Sequence, residues 1–439
     1  MERFLMRALL QWKNSPRRKP LILNGARQVG KTWLLKEFGR LHFGKIAYLS
    51  LDNDAVARSF FERGFDMGRI IADLSLHTGV QITPGDTLIV IDEIQSCPLA
   101  ITSLKYFCED APAYAVAAAG SLLGLSAHEG SGYPVGKVNG FDLHPLSFRE
   151  FLDATGNAML GELLDSGDTG RMSSFAPKAT ELLRKYCVVG GMPAAVDAYA
   201  RGAELSEVRN IQADILDGYQ RDFAKHAPYR LLPRMMEVWE SIPSHLSQEN
   251  RKFVFGHIRK GARAKDYEET LTWFAQAGLV TRVRRISKPG LPLCPYADDN
   301  AFKLFLLDVG LLGAMSGLEL STVVSGNAVF SEFKGALTEQ YVCQQLVSEC
   351  GLTPYYWSAE NSSGEIDFLV QDSNRIVAIE VKAEENLRAR SLRFFKDKHP
   401  DVCALRFSMS GFREQDWMRN IPLYAMGNQQ LWGAAEIDG

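Results

Sequence analysis

The sequence predicts an α/β protein whose first part is a parallel sheet flanked by helices, and three observations carry that prediction. A short apolar run, Leu21 to Leu23, leads straight into Gly25-Ala-Arg-Gln-Val-Gly30-Lys31-Thr32, and a helix-like run starts at Trp33. Farther on, Thr87-Leu-Ile-Val-Ile91 is an unbroken apolar strand that ends in Asp92 and Glu93, as strands covered on both faces do. Around these two landmarks strand-like and helix-like segments alternate, the pattern of parallel strands joined by crossover helices.

The chemistry of the first landmark follows from its residue types. Gly25 to Thr32 meets every fixed position of the phosphate loop G-x-x-x-x-G-K-[ST]. Gly25 and Gly30 permit turns that a Cβ would block and aim backbone N–H groups at phosphate oxygens. Lys31 is expected to reach the β- and γ-phosphates and the Thr32 hydroxyl to sit on Mg²⁺, with the positive end of the following helix facing the anion. ATP and Mg²⁺ are the expected cofactors, and the expected cofactor contacts are Gly25, Ala26, Arg27, Gln28, Val29, Gly30, Lys31, Thr32 and Trp33. At the end of the second landmark Asp92 is expected to hold the metal ion through its water shell. Glu93 is the natural base to polarise a water for attack on the γ-phosphate.

Size and composition set the frame. A chain of 439 residues exceeds one core's usual size, so several domains are expected. Hydrophobic content of 46% and charged content of 23% are ordinary globular values. The seven cysteines show no C-x-x-C spacing and read as reduced core residues of a cytoplasmic protein. Met1 to Trp12 reads as a docking helix of the first domain because it lacks the unbroken apolar core of a signal peptide. No stretch reaches the eighteen or so apolar residues of a membrane span, so no membrane partner is expected. The net charge of −3 argues against nucleic-acid binding by the whole surface but leaves room for a local basic patch.

Taken in order, Lys45 to Leu51 reads as a second strand, and Ala55 to Arg63 and Met67 to His77 as helices. Tyr114-Ala-Val-Ala-Ala-Ala119-Gly120-Ser121 is a small-residue strand that ends in a hydroxyl, and Ser121 reads either as a γ-phosphate sensor or as a helix N-cap. After a Gly- and Ser-rich stretch, Ser147 and Glu150 fit a capping box. The motifs Gly-Ala-Arg-Gln-Val-Gly-Lys-Thr, Ile-Asp-Glu-Ile-Gln, Ala-Gly-Ser and Pro-Leu-Ser-Phe-Arg-Glu-Phe together resemble a group of bacterial and archaeal AAA+-type P-loop ATPases with a C-terminal domain of unknown function. The resemblance covers essentially the whole chain and includes Gly190-Gly-Met-Pro193, similar to a loop of that group's helical lid. It implies an arginine that neutralises transition-state charge. Arg149 and Arg221 are candidates, each also readable as a surface or salt-bridged residue, and no arginine stands beside Met192-Pro193, where related ATPases can place a second sensor.

The sequence beyond the lid points to two further parts. Helix-length runs at Gln248 to Phe255 and Lys265 to Ala277, then Leu279 to Ile286 and a Pro/Gly turn, suggest a winged helix. From Arg251 to Lys288 there are ten Lys or Arg against three Asp or Glu, a local balance of +7. That is the footprint of a contact to a DNA backbone, or of a solvated face or protein-docking module. A long helical run from Ser331 carries Glu339, followed by strand-like Glu365 to Val370 with Asp367 and Ile376 to Lys382 with Glu380 and Lys382, on one strand face by their period of two. An acid on a helix, an acid on a strand and Glu-x-Lys on the next strand resemble the PD-(D/E)xK nuclease fold. By that resemblance Glu339, Asp367 and Glu380 would bind metal and Lys382 would orient a water, although domains of this fold also serve for binding without cleavage. The expected layout is an ATPase core at 1–145, a helical lid at 146–230, a winged helix at 231–325 and a nuclease-like α/β domain at 326–439. Expected partners are ATP and DNA through the last two parts, with a protein partner or a second copy of the chain as further possibilities. Metal-dependent DNA cleavage, or a nucleotide-dependent switch with an inert nuclease fold, remain the two functional alternatives.

Overall fold

The computed structural model describes residues 2–120, 134–248, 250–318, 331–359, 364–383 and 389–433. Ser121, the sensor candidate, lies outside the described residues. Two compact units are present: residues 2–144 with 276–279, and residues 145–275 with 280–439.

The first unit runs α1 (Leu5–Asn14), β1 (Leu21–Asn24), α2 (Lys31–His42), β2 (Lys45–Ser50), α3 (Ala55–Glu62), α4 (Met67–Thr78), β3 (Thr87–Asp92), α5 (Pro98–Asp110), β4 (Ala115–Ala119) and β5 (Asn139–Asp142). The five strands form one parallel sheet in the order β2-β3-β4-β1-β5. The small-residue strand β4 therefore lies between the phosphate-loop strand and the Asp-Glu strand. Every residue of β3 and β4 is buried, as continuous apolar runs require when helices cover both faces. The parallel register sets Ser50 of β2 beside Asp92, so the carboxyl ends of β2 and β3 are level. Such ends are where open α/β sheets take ligands.

The second unit begins with α6 (Phe148–Ala154), α7 (Ala158–Asp165), α8 (Thr169–Ser174), α9 (Ala176–Val189), α10 (Pro193–Ala200), α11 (Leu205–His226), α12 (Leu232–Leu246), α13 (Phe255–Ile258) and α14 (Ala264–Gln276). It continues with β6 (Val280–Ile286), β7 (Ala297–Leu306), α15 (Val309–Met315), α16 (Ser331–Ser348), β8 (Tyr355–Ser358), β9 (Glu365–Asp372), β10 (Arg375–Lys382), α17 (Arg390–Lys398), β11 (Cys403–Ser408), β12 (Arg413–Gln415) and β13 (Met418–Pro422). Ser147 and Glu150 form the expected capping box at the start of α6.

Here the structure differs from the four-part layout. Strands β6 and β7, expected as the wing of a winged helix, are the edge of an eight-stranded mixed sheet of order β12-β13-β11-β10-β9-β8-β6-β7. The helices expected as a lid belong to the same unit, and buried polar groups tie them to it. Gln345 Oε1 accepts from Phe148 N at 2.8 Å, Gln344 Nε2 donates to the Tyr186 hydroxyl at 3.0 Å, and Asp308 Oδ2 accepts from Gly191 N at 2.5 Å. Of the expected helix at Gln248 to Phe255, the described residues 250–254 are not helical. Instead Arg251 takes a positive φ of 51°, and Phe253, stacked on Phe302 and His245, donates its N–H to the carbonyl of Phe302. Packing of one aromatic against β7 outweighs local helix propensity in this segment.

The seven cysteines are free, and against the expectation of core residues only Cys97 and Cys343 are buried, while Cys294 is exposed. No helix among the described residues is long and apolar enough to cross a membrane.

Candidate nucleotide pocket and C-terminal charge pocket

In the first unit the loop between β1 and α2 takes the shape its sequence demands. Gly25 has φ +145°, and a Cβ there would meet the carbonyl oxygen of Leu143 at 2.3 Å. Gly30 precedes α2 at φ +95°, a conformation that side chains rarely adopt. Gln28, at φ +65°, is a further left-handed residue in the same loop. The loop is braced from behind by Arg3, whose guanidinium donates to the carbonyls of Val29 at 3.0 Å and His144 at 2.6 Å.

The functional side chains converge on this loop. Lys31 is 7% exposed and donates to the carbonyls of Gly25 at 2.8 Å and Ala26 at 2.7 Å. Thr32 Oγ1 donates to Asp92 Oδ2 at 2.7 Å, which brings the two expected Mg²⁺ groups together from α2 and β3. Tyr48 donates its hydroxyl to the same oxygen at 3.0 Å. Burial first, and then the Asp92 charge, pushes the Tyr48 phenol up to about 12, so it remains a donor at neutral pH. The sequence held a signal for Tyr48: it lies two residues before Ser50, on the same face of the strand that pairs with β3. Glu93 follows Asp92 with φ +50°, a strained conformation of the kind found at working sites, and accepts from Gln95 Nε2 at 2.5 Å. Trp33 is 44% exposed at the start of α2. These residues suit MgATP: a glycine cradle that a Cβ would fill, a lysine resting on the loop, and a hydroxyl–carboxylate pair of hard oxygen donors.

Of the arginine candidates, Arg149 is held by Asp153 and by Asp165 at 2.9 Å inside the second unit, while Arg221 is exposed.

The second unit gathers the other expected residues into one pocket of about 670 Å³. Glu339 reaches it from α16, Asp367 from β9, and Glu380 and Lys382 from β10. The hairpin between Asp372 and Arg375 sets this register, with Ser373 at φ +55° and Ile379 paired to Phe368. Asp367 Oδ2 then accepts from Val381 N at 2.7 Å. Helix α16 is fixed to β7 by Gln340, which both accepts from and donates to the backbone of Leu306.

Four residues that the sequence did not mark as site residues, Glu365, Lys303, Arg251 and Lys252, share the pocket's charge. Lys303 of β7, fully buried, places Nζ 2.6 Å from Glu365 Oε1 and 3.7 Å from Glu339 Oε2. Arg251 Nη1 is 2.7 Å from Glu339 Oε1, and Lys382 Nζ is 2.7 Å from Glu380 Oε1. Burial pulls the Lys303 ammonium down, but Glu339, Glu365 and Asp367 overcome it and hold the group above the usual lysine value. Burial first, then the charge of Asp367, pushes the Glu339 carboxyl up to about 7. A lone lysine inside Phe302-Lys303-Leu304-Phe305 was the available signal for Lys303, since a lysine in a buried strand needs a counter-charge. No signal marked Arg251, whose reach depends on its positive φ.

This donor set does not suit the divalent ion that the nuclease resemblance implies. Glu339 Oε2 and Glu380 Oε2 accept no hydrogen bond, which would favour a cation. Yet among the described residues no three His, Cys, Asp or Glu side chains are placed to hold a metal ion. Glu339, Glu365 and Glu380 each already face a lysine or arginine at 2.7 Å or less. Lys303 would also repel a divalent ion from within the cluster. Glu339, Asp367 and Glu380 are therefore brought together, but not as a ligand set.

The basic stretch is also largely neutralised. Arg282 pairs with Glu268, Arg284 with Asp299 and Arg285 with Asp298, so carboxylates of α14 and β7 take up the charge of β6. Lys260, Arg263, Lys265 and Lys288 are exposed.

Comparison with known proteins bears on the first unit most directly. Residues 17–152 match the family model of the AAA domain. Residues 180–322 match a domain of unknown function, DUF8612, and residues 334–425 another, DUF4143. No curated protein matches the chain in sequence. The ORC1 protein of Aeropyrum pernix, solved in complex with DNA, is 15% identical over 71% of this chain and 90% of its own, at a TM-score of 0.28. Cdc6p from Pyrobaculum aerophilum is 12% identical over 73% of this chain and 92% of its own, at 0.26. At such TM-scores these likenesses carry no argument. The parallel sheet and the phosphate loop give the first unit a P-loop fold, and its residues 17–152 are similar to the AAA domain.

Proposed function

We propose that the chain is a Mg²⁺-dependent ATP hydrolase whose nucleotide cycle governs binding by its second unit. The observation that carries this reading is the 2.7 Å contact between Thr32 Oγ1 and Asp92 Oδ2 beside the Gly25–Gly30 cradle. Two oxygen groups from separate elements meet where the ion of MgATP would sit. On this reading the loop N–H groups and Lys31 bind the phosphates, Thr32 and Asp92 hold Mg²⁺, and Glu93 orients the attacking water once released from Gln95. Mg²⁺ supplies charge neutralisation on the β- and γ-phosphates. Calorimetry of ATP binding tests the assignment: Lys31→Ala is expected to abolish tight binding, and unchanged affinity would remove the loop from the mechanism.

DNA is the proposed partner class, supported by the exposed Lys260, Arg263, Lys265 and Lys288. A steep fall of duplex binding with salt is the expected signature, because phosphate contacts release counterions. Absence of binding at low salt would point to a protein partner instead. The ion pairs of the C-terminal pocket favour a binding role over cleavage for that pocket.

A further inference from the structure

We propose that Lys303, seconded by Arg251, fills with built-in positive charge the acidic cluster of Glu339, Glu365 and Asp367, so that the C-terminal pocket is complete without a divalent ion. The inference concerns the pocket's own chemistry and stands whether or not the chain hydrolyses ATP.

Four observations carry it. Lys303 is fully buried, and its only means of staying charged there is the set of carboxylates around it. Its ammonium lies 2.6 Å from Glu365 and 3.7 Å from Glu339, the separations of an ion pair held from two sides. Arg251 reaches the other oxygen of Glu339 at 2.7 Å from a left-handed backbone conformation that a non-glycine residue adopts only under constraint. Finally, as many basic as acidic side chains gather at the pocket: Arg251, Lys252, Lys303 and Lys382 stand against Glu339, Glu365, Asp367 and Glu380.

The geometry also explains why the cations come from outside the Glu-x-Lys strand. Lys382 is occupied by Glu380 and leaves Glu339 and Glu365 uncompensated. Strand β7 runs at the sheet edge beside β6, and Gln340 of α16 bonds to Leu306 three residues beyond Lys303. That bond fixes Glu339, one residue before Gln340, within reach of the lysine. The strand β7 thus delivers the charge, and α16 is locked in register to receive it.

Manganese binding to the full chain without nucleotide, followed by the paramagnetic resonance of free Mn²⁺, tests this on wild type, Asp367→Asn, Lys303→Met and the Lys303→Met/Asp367→Asn pair. The proposal expects no difference in bound Mn²⁺ between wild type and Asp367→Asn. It expects Lys303→Met to gain one Mn²⁺ per chain, lost again in the double variant. Stoichiometric Mn²⁺ on the wild type that Asp367→Asn abolishes would overturn the proposal, and this arm needs no Lys303 variant to fold. A folded Lys303→Met chain, checked by its circular dichroism, that binds no more Mn²⁺ than wild type would overturn it equally.

Discussion

The two pockets are built on opposite plans. In the nucleotide pocket the charged groups rest on partners that a ligand can replace: Lys31 lies on two backbone carbonyls, and Thr32 donates to Asp92. In the C-terminal pocket Lys303, Arg251 and Lys382 face carboxylates in ion pairs, each with one buried and one half-buried partner. An amide carbonyl gives up a lysine at modest cost, whereas separating a buried ion pair leaves a charge without compensation. The first arrangement is poised to exchange its contacts for phosphate and Mg²⁺, and the second already holds its charges in ion pairs. A site's residue types therefore do not define its chemistry until their partners are known.

The sharpest way to break this comparison is at Glu93. If it polarises the attacking water, Glu93→Gln should keep ATP affinity and lower turnover by about 100-fold or more, the usual scale for a lost general base. Normal turnover in a phosphate-release assay would reassign the base. Next comes Lys31→Ala, expected to weaken ATP by about 100-fold, the loss of two charge-assisted contacts of roughly 1.5 kcal/mol each. Calorimetry measures it.

On the other side of the comparison, Glu339 should make the second unit sensitive to pH. Its carboxyl stands at about 7 against an ordinary value of 4.5, so the folded chain holds this proton more tightly than the unfolded chain. The resulting stabilisation is full below the ordinary value and is lost as pH rises toward 7. Urea denaturation at about pH 5 and about pH 8 should show the wild-type midpoint falling and that of Glu339→Gln falling less. Equal falls in both would place the titrating group elsewhere. The smallest effect is expected at Tyr48, where Phe removes one hydrogen bond to Asp92 worth about 1 kcal/mol. A loss of only a few-fold in the apparent affinity for Mg²⁺ during turnover is the expected result.

What could be read from the sequence follows the range of the interactions. The phosphate loop and the strands Leu21–Leu23 and Thr87–Asp92 were legible because their chemistry is local, a fixed spacing of glycines and an apolar run ending in acids. The gathering of Glu339, Asp367, Glu380 and Lys382 was legible as order along the chain, since a two-residue hairpin turn fixes β9 against β10. What local pattern could not convey was where strands from distant segments join. Leu279–Ile286 reads as a hairpin strand alone, and only its parallel pairing with Tyr355 and Tyr356 makes it part of the C-terminal sheet. The same long-range pairing carries Lys303 into the acidic cluster. Part of the basic stretch is neutralised for a related reason: Asp298 and Asp299, which pair with Arg285 and Arg284, lie on the paired strand, beyond the run in which the charge was counted.

The most direct test sets the two pockets against each other in one preparation: ATP hydrolysis and cleavage of plasmid and single-stranded DNA, with Mg²⁺ or Mn²⁺, for wild type, Glu93→Gln and Asp367→Ala. The account predicts that wild type and Asp367→Ala hydrolyse ATP, that Glu93→Gln does not, and that the DNA stays intact throughout. Metal-dependent cleavage by wild type that Asp367→Ala abolishes would contradict it, and would show that the ion pairs of the C-terminal pocket open to admit a metal ion.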